Sequence, residues 1–530
     1  MSQFLLTRRA LLQSTTMLAA ATALPWKALA QSGGRLIVAA DSEPKNLNPA
    51  IVASNGVFFI ASKVVEPLAE ASFDGKDGLA PRLATSWVGS ADGLSVTFKL
   101  REGVTWHDGK PFTSADVVYS LTKFIPEVHP RSRPTFARAE VTAPNDYTVV
   151  LKLKEPYGPL IRSFDAIGAP IVAKHIYDGS PIRENPANRT PVGTGPFKFS
   201  EWRAGEYIHL VRNDDYWLEG RPYLDEIYYR FIPDSASRAL ALETEQVQLT
   251  TQNDIELVDI ARLKAMPHLE VTTKGWEWGA PISWLEMNLR REPFSDVRFR
   301  KAVMHALDRK FIAENIFFGL ASVPTGPIHS SSPFYSSDVP TYDFAPDKAR
   351  ALLDEMGLAP KADGTRVEIG LLGLPYGELW DRLSQYIRQA LGEVGIAVKI
   401  ETADVAGWGS RISNWETDMS TTYLTTLSDP ALGVARSYIT ENQRKGVLFT
   451  NTSGYSNPEV DRLFAEAANE PDEAKRRDLY KQVQRIVADE VALAWLVEMQ
   501  WPTIHSAKLK NVVRNGLGPN DNFAEAYFEE

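Results

Sequence analysis

The chain has 530 residues, 57 basic and 67 acidic side chains, a formal charge of −10 and no cysteine. An acidic chain argues against nucleic acid as a partner, and the missing cysteine excludes disulfides, thiolate metal sites, a cysteine nucleophile and a cysteine-linked lipid anchor. The length implies two or three domains.

Thr7-Arg8-Arg9 precedes an uncharged stretch from Ala10 to Trp26, and Ala28-Leu29-Ala30 supplies small residues for cleavage. This predicts an export signal over residues 1–30 and a periplasmic mature protein. The paired arginines resemble the twin-arginine type, and an ordinary secretory signal is the alternative. No later segment reaches the ~18 consecutive apolar residues of a membrane span. Even Val487 to Trp501 carries Asp489, Glu490 and Glu498.

Leu36 to Ala40 reads as a buried strand, and Asp41 to Pro49 as the loop that ends it. A helix is expected over about Val57 to Val65. Trp87-Val88 and Leu94 to Leu100 alternate at period two around the turn Ser90-Ala91-Asp92-Gly93, which predicts a hairpin. Asp108-Gly109-Lys110-Pro111 marks another turn, Thr113 to Asp116 caps a helix, and Tyr147 to Leu153 is a further strand. Strands follow at Tyr207 to Arg212 and Glu226 to Ile232, with a helix near Ser235 to Glu245. Pro293-Phe294-Ser295-Asp296 then opens an amphipathic helix, with Gly319 at a C-terminal glycine position. Helices at Pro346 to Met356 and Leu379 to Val394 alternate with strands at Val367 to Leu372 and Ala397 to Thr402, a pattern suited to a sheet flanked by helices. Asn457-Pro458 caps a helix, and Asp472 to Glu490 forms another.

Reactive signatures are missing: there is no His-Glu-x-x-His, Gly-x-Ser-x-Gly or phosphate-loop lysine motif. Gly193-Thr194-Gly195-Pro196 reads as a tight turn, since Pro196 removes a backbone donor that a phosphate loop needs. His107-Asp108-Gly109 reads as a hairpin turn. No cofactor, metal site or catalytic residue is expected. The 13 tryptophans suit a pocket that grips an organic ligand on its flat faces.

Several stretches in order carry a resemblance. They are Leu79-Ala80-Pro81-Arg82-Leu83-Ala84-Thr85-Ser86-Trp87, Phe98 through Gly103-Val104-Thr105-Trp106-His107-Asp108-Gly109-Lys110-Pro111-Phe112, and Gly193-Thr194-Gly195-Pro196-Phe197. Asn213-Asp214-Asp215-Tyr216-Trp217, Pro293 to Arg298, Ala306-Leu307-Asp308-Arg309 and Tyr455 to Asp461 continue the series. Together they resemble the peptide/opine/nickel-type extracellular solute-binding proteins of ABC importers, family 5 or cluster C. The resemblance implies an α/β, two-lobed periplasmic-binding-protein fold (type II, cluster C) with an extra β-rich domain in the first lobe. Domain I is then expected at 31–75, 192–285 and 500–530, the extra domain II at 76–191, and domain III at 286–499, with a hinge crossing near Leu285 to Leu289. It also implies no catalysis, an ABC permease and ATPase as partners, and a lobe-closing equilibrium favoured by ligand. A monomer is expected, because each lobe must move freely.

Ligand-site residues follow from the same resemblance. Trp408 resembles a pocket tryptophan, with a core role as the alternative. Tyr423 stands where peptide-binding relatives place another tryptophan, and Thr426 where they place the aspartate that pairs with a peptide's amine. Because a buried ammonium needs a carboxylate, ordinary peptides lose ground to opines and sugar–amino-acid conjugates. Asp429 resembles the aspartate that shapes this loop, or by a shift of alignment the amine anchor itself. Trp276, Trp278 and Trp284 cluster before the hinge, and Ser54 and Asn55 border the ligand on the other side. Di- or oligopeptides, an oligosaccharide and a nickel chelate remain alternatives. A nucleophile and base within hydrogen-bond reach inside the cleft would instead mark a periplasmic hydrolase.

Overall fold

The computed structural model describes residues 33–52, 54–73, 78–165, 167–251 and 254–530. The expected export signal lies outside them. Among the described residues no helix is long and apolar enough to cross a membrane.

Two large sheets and one smaller one organise the chain. The apolar strand Arg35–Ala40 lies centrally in a seven-stranded sheet ordered Leu269–Thr272, Thr503–Ser506, Leu249–Thr250, Arg35–Ala40, Glu226–Phe231, Tyr207–Arg212, Phe197–Arg203. Its two neighbours run parallel to it, which suits a strand rich in buried apolar residues. The six-stranded sheet is ordered Ala321–Ser322, Ala494–Met499, Pro281–Met287, Met419–Thr425, Val367–Leu372, Ile396–Glu401. Helix Glu378–Gly392 connects its two parallel outer strands and buries Trp380, Leu383, Ile387 and Leu391 at helical spacing.

Four antiparallel strands form the smaller sheet, in the order Ala84–Gly89, Ser95–Leu100, Thr148–Leu153, Ala139–Asn145. Beside it, Thr113 and Asp116 form a reciprocal capping box that starts helix Ser114–Tyr119.

Two elements differ from the sequence reading. Pro281–Met287 is buried along its whole length and pairs with strands on both sides, so it belongs entirely to the six-stranded sheet. The first crossing between the large sheets therefore lies between Thr272 and Pro281, ahead of the expected Leu285 to Leu289. The return crossing lies between Met499 and Thr503. The helix that opens after Asp296 covers Val297–Ala306 and stops, with Leu307 extended. There the Asp308 side chain accepts the Phe311 N–H and starts a new helical segment, a local competition typical of aspartate.

The Gly193 to Pro196 turn packs on the end of helix Asn55–Val64. The Gly195 N–H donates to the Val64 carbonyl at 2.9 Å, and a Cβ on Gly193 would stand 1.7 Å from that same oxygen. Gly193→Ala should therefore lower the midpoint of thermal unfolding markedly. Gly326→Ala, where an added Cβ meets nothing within 4 Å, should leave it unchanged.

Candidate functional site

A cavity of 210 Å³ opens where all three sheets' surroundings converge. Its floor comes from the two crossings. Trp276, Trp278 and Gly279 lie on the outgoing segment and Trp501 on the return, and Trp276 meets Trp501 edge-to-face with ring centres 5.1 Å apart. Tyr423, near the end of strand Met419–Thr425, adds a third ring 5.8 Å from Trp501. It stacks on Trp380 of the following layer at 5.6 Å, which fixes its plane. Burial pushes the Tyr423 phenol up to about 12, so it stays neutral and able to donate. The indole N–H groups of Trp276 and Trp501 have no partner among the described residues.

The small-sheet module supplies the polar wall. Asp165 accepts the Trp278 indole N–H and the backbone N–H groups of Ile167 and Gly168, each at 2.7 Å. The first bond ties the module to the crossing segment, and the other two fix the Asp165 carboxylate within its own loop. Burial raises the Asp165 carboxyl, and the bonds and the nearby Arg131 oppose that rise. Arg131 and Arg162 also line the cavity, as does Phe58 from helix Asn55–Val64. Leu517 and Asn520 close it from the C-terminal loop.

Ser132 and His129 test the hydrolase alternative. Ser132 Oγ lies 3.3 Å from His129 Nε2, inside the cavity wall. That nitrogen, however, stands 2.8 Å from the Ile167 carbonyl oxygen, which has no hydrogen to give. Nε2 must carry the proton and donate it, leaving Nδ1 to accept the Ser132 N–H at 3.4 Å. The imidazole thus has no free lone pair facing the serine hydroxyl, and the pair lacks the geometry of nucleophile and base.

The sequence-derived site residues divide sharply. Trp276, Trp278 and Tyr423 line the cavity. Trp284 packs in a core cluster with Trp495, and Trp408 packs in another with Ile412 and Met419; neither lines the cavity. Ser54 is the exposed residue preceding helix Asn55–Val64, and Asn55 begins it; Phe58, one turn on, is the helix residue at the cavity.

The Thr426 hydroxyl donates to the Ala280 carbonyl at 2.8 Å, so it fastens the loop to the crossing segment instead of facing the cavity. Asp429 is fully buried, with both oxygens 2.8 Å from Arg476 Nη2 and one accepting the Ala431 N–H. Its charge is already matched, which removes it as an amine anchor. Arg131, Arg162, Asp165 and Trp501 escaped the sequence reading. Trp501 ends the apolar stretch that begins at Val487, but nothing in the sequence brings residues 129–168 to it.

Three comparisons extend this picture. A family model described as bacterial extracellular solute-binding proteins, family 5, middle region, matches residues 78–445. The oligopeptide-binding protein AppA of Bacillus subtilis (strain 168) is 28% identical over 503 residues, covering 91% of this chain and 89% of that protein. Among solved structures, the periplasmic binding protein DppA of Helicobacter pylori, in complex with the peptide STSA, superposes with a TM-score of 0.79 at 26% identity, covering 94% of this chain and 99% of its own. AgaA from A. tumefaciens R10, in complex with agropinic acid, gives 0.78 at 25% identity with the same coverage.

Two outcomes are expected from this geometry. Asp429→Asn strands Arg476 in a buried site and should cost about 3–5 kcal/mol in urea unfolding without changing which ligands bind. Burial holds the His129 imidazole down at about 4, below its ordinary 6.5. Its contribution to stability is complete above pH 6.5 and is lost as pH falls towards 4, because the unfolded chain takes up the proton first. His129→Gln should flatten that part of the stability–pH curve.

Proposed function

The chain belongs to the bacterial extracellular solute-binding proteins of family 5, and from that premise we propose that it is a periplasmic receptor enclosing a small polar organic molecule between two lobes for delivery to an ABC permease and ATPase. The observation that carries this reading is the cavity itself, whose walls come from both sides of a double chain crossing and from the small-sheet module. A molecule held there touches every part that must move together, so its contacts favour the closed arrangement. In this reading the first lobe is built on the seven-stranded sheet, residues 76–191 form its extra domain, and the second lobe begins at Pro281. Residues 1–30 act as a cleaved export signal of twin-arginine type, and the receptor works as a monomer.

The lobes also meet at the cleft rim, away from the crossings. Glu256, Leu257 and Val258 lie beside Phe318, Glu378, Leu379 and Arg382. Leu257 packs against apolar clusters on both sides. Burying one such side chain is worth about 1.5–3 kcal/mol, enough to bias a two-state closure.

The ligand class follows from what lines the cavity. AppA is described as an oligopeptide-binding protein, DppA was solved with a peptide and AgaA with agropinic acid. With the Thr426 hydroxyl and the Asp429 carboxylate both engaged inside the protein, no amine anchor stands at either position. That supports opines, sugar–amino-acid conjugates or blocked peptides over free peptides.

Thermal unfolding against peptides, opines, sugars and nickel chelates tests the reading. A ligand at a hundredfold excess over Kd should add roughly 2.7 kcal/mol. Leu257→Asp should weaken the binding of any positive compound about tenfold while leaving the cavity intact. If free dipeptides alone raise the midpoint, the ligand class proposed here is wrong. If Leu257→Asp binds as tightly as wild type, rim contact has no part in closure.

A further inference from the structure

The small-sheet module meets the second lobe directly at a position that carries no side chain. Gly158 opens the turn Gly158–Ser163, and the three atoms nearest to a Cβ built on it all belong to Arg476, at 2.8, 2.9 and 3.0 Å. Its φ lies outside the left-handed region, so a left-handed backbone is not the reason for glycine there. Arg476 has no freedom to withdraw. It is 3% exposed, its Nε donates to the Ala467 carbonyl at 2.8 Å, and its Nη2 donates to both Asp429 oxygens at 2.8 Å and to the Tyr480 hydroxyl at 3.3 Å. The approach of the second lobe leaves room at position 158 for nothing larger than hydrogen.

Further contacts lie beside this one. Gly93 stands at the tip of the hairpin between strands Ala84–Gly89 and Ser95–Leu100, and a Cβ there would lie 3.1 Å from Pro471 Cβ, between helices Pro458–Asn469 and Glu473–Asp489. Arg162 Nη2 lies 3.6 Å from Glu473 Oε2, and Ser428 Oγ donates to the Arg162 carbonyl at 3.4 Å. Arg162 and Ser428 line the cavity, whereas Gly93, Gly158, Pro471 and Arg476 do not. The contact therefore begins at the cavity wall and continues outside it. Its one ion pair between module and lobe is long and half-exposed at Glu473, so that pair contributes little. A contact of this kind can form and break.

We infer that Gly158 and Arg476 form a closing latch, by which the module holds the second lobe shut over the cavity. This rests on the receptor reading and deepens it, because the chain itself then supplies part of the preference for the closed arrangement. The ligand-free protein visits that arrangement, and ligand affinity depends on residues that no ligand touches. Gly158 and Arg476 are positioning residues in this sense.

Single-molecule energy transfer tests the latch without any ligand. Because the chain lacks cysteine, dyes at Val88→Cys, exposed on the module, and Val447→Cys, exposed on the second lobe, are the sole labels. The labelled parent should divide between open molecules and molecules at the separation of the closed structure. Adding Gly158→Ala should lower the ratio of closed to open by about fivefold or more, because its methyl group meets the fixed guanidinium only when the lobes meet. Gly158→Val should lower it further, and Gly326→Ala, whose Cβ meets nothing within 4 Å, should leave it unchanged. The inference is overturned if the ligand-free parent never occupies the closed separation, or if Gly158→Ala leaves the ratio as it was. The first outcome is read on the parent alone, so a misfolded variant does not rescue the idea. Agropinic acid and alanyl-alanine then separate the two readings. If either closes the parent and the Gly158→Ala protein with equal affinity, the latch falls and the receptor reading stands. If Gly158→Ala shifts the populations while no compound of the thermal panel does, the latch stands and the receptor reading falls.

Discussion

Trp276 and Trp501 meet edge-to-face on the two segments by which the chain passes between its large sheets. Much of the site depends on that contact. Two adjacent crossings allow the sheets to swing relative to each other while keeping their separation fixed at one edge. In the proposed closure, large rings on those segments place apolar surface at the edge about which the sheets would swing. Tyr423 and Trp380 extend the same set of aromatic contacts into the six-stranded sheet and its helix, so the base of the cavity is continuously packed.

Around that base, polar side chains serve two distinct purposes. Asp165, Thr426 and Asp429 each spend their hydrogen-bonding capacity inside the protein: the first on Trp278, the second on the Ala280 carbonyl, the third on Arg476. The first two hold loops against the crossing segment, and the third ties its loop to helix Glu473–Asp489. The indole N–H groups of Trp276 and Trp501 are different, since they line the cavity without a partner among the described residues.

The sequence revealed most of the regular elements. Val367 to Leu372 and Ala397 to Thr402 stood out through β-branched runs, and Leu379 to Val394 through its apolar spacing, because these patterns reflect local burial. The strand Pro281–Met287 was harder, since burial on both faces erases the period-two alternation that marks a strand edge. At the site, Trp276 and Trp278 were legible as aromatic residues before a crossing, and Tyr423 through the family resemblance. Trp408 was not separable from them, because a core tryptophan and a pocket tryptophan look alike in one dimension. Asp165 was illegible for a stronger reason: 113 positions separate it from Trp278 along the chain, and only the fold brings its carboxylate to that indole.

The absence of cysteine makes the central claim directly measurable, because two introduced cysteines would be the sole labelling sites. Leu240 and Val405 are exposed on the first and second lobes respectively. Spin labels at Leu240→Cys and Val405→Cys would report the distance between lobes by double electron–electron resonance, with and without a compound that raises the unfolding midpoint. Closure around a bound ligand predicts a broad distance distribution in the free protein that narrows and changes its mean on binding. One unchanged narrow distance in both states would contradict the account, since the cavity would then fill without any movement of the lobes that wall it.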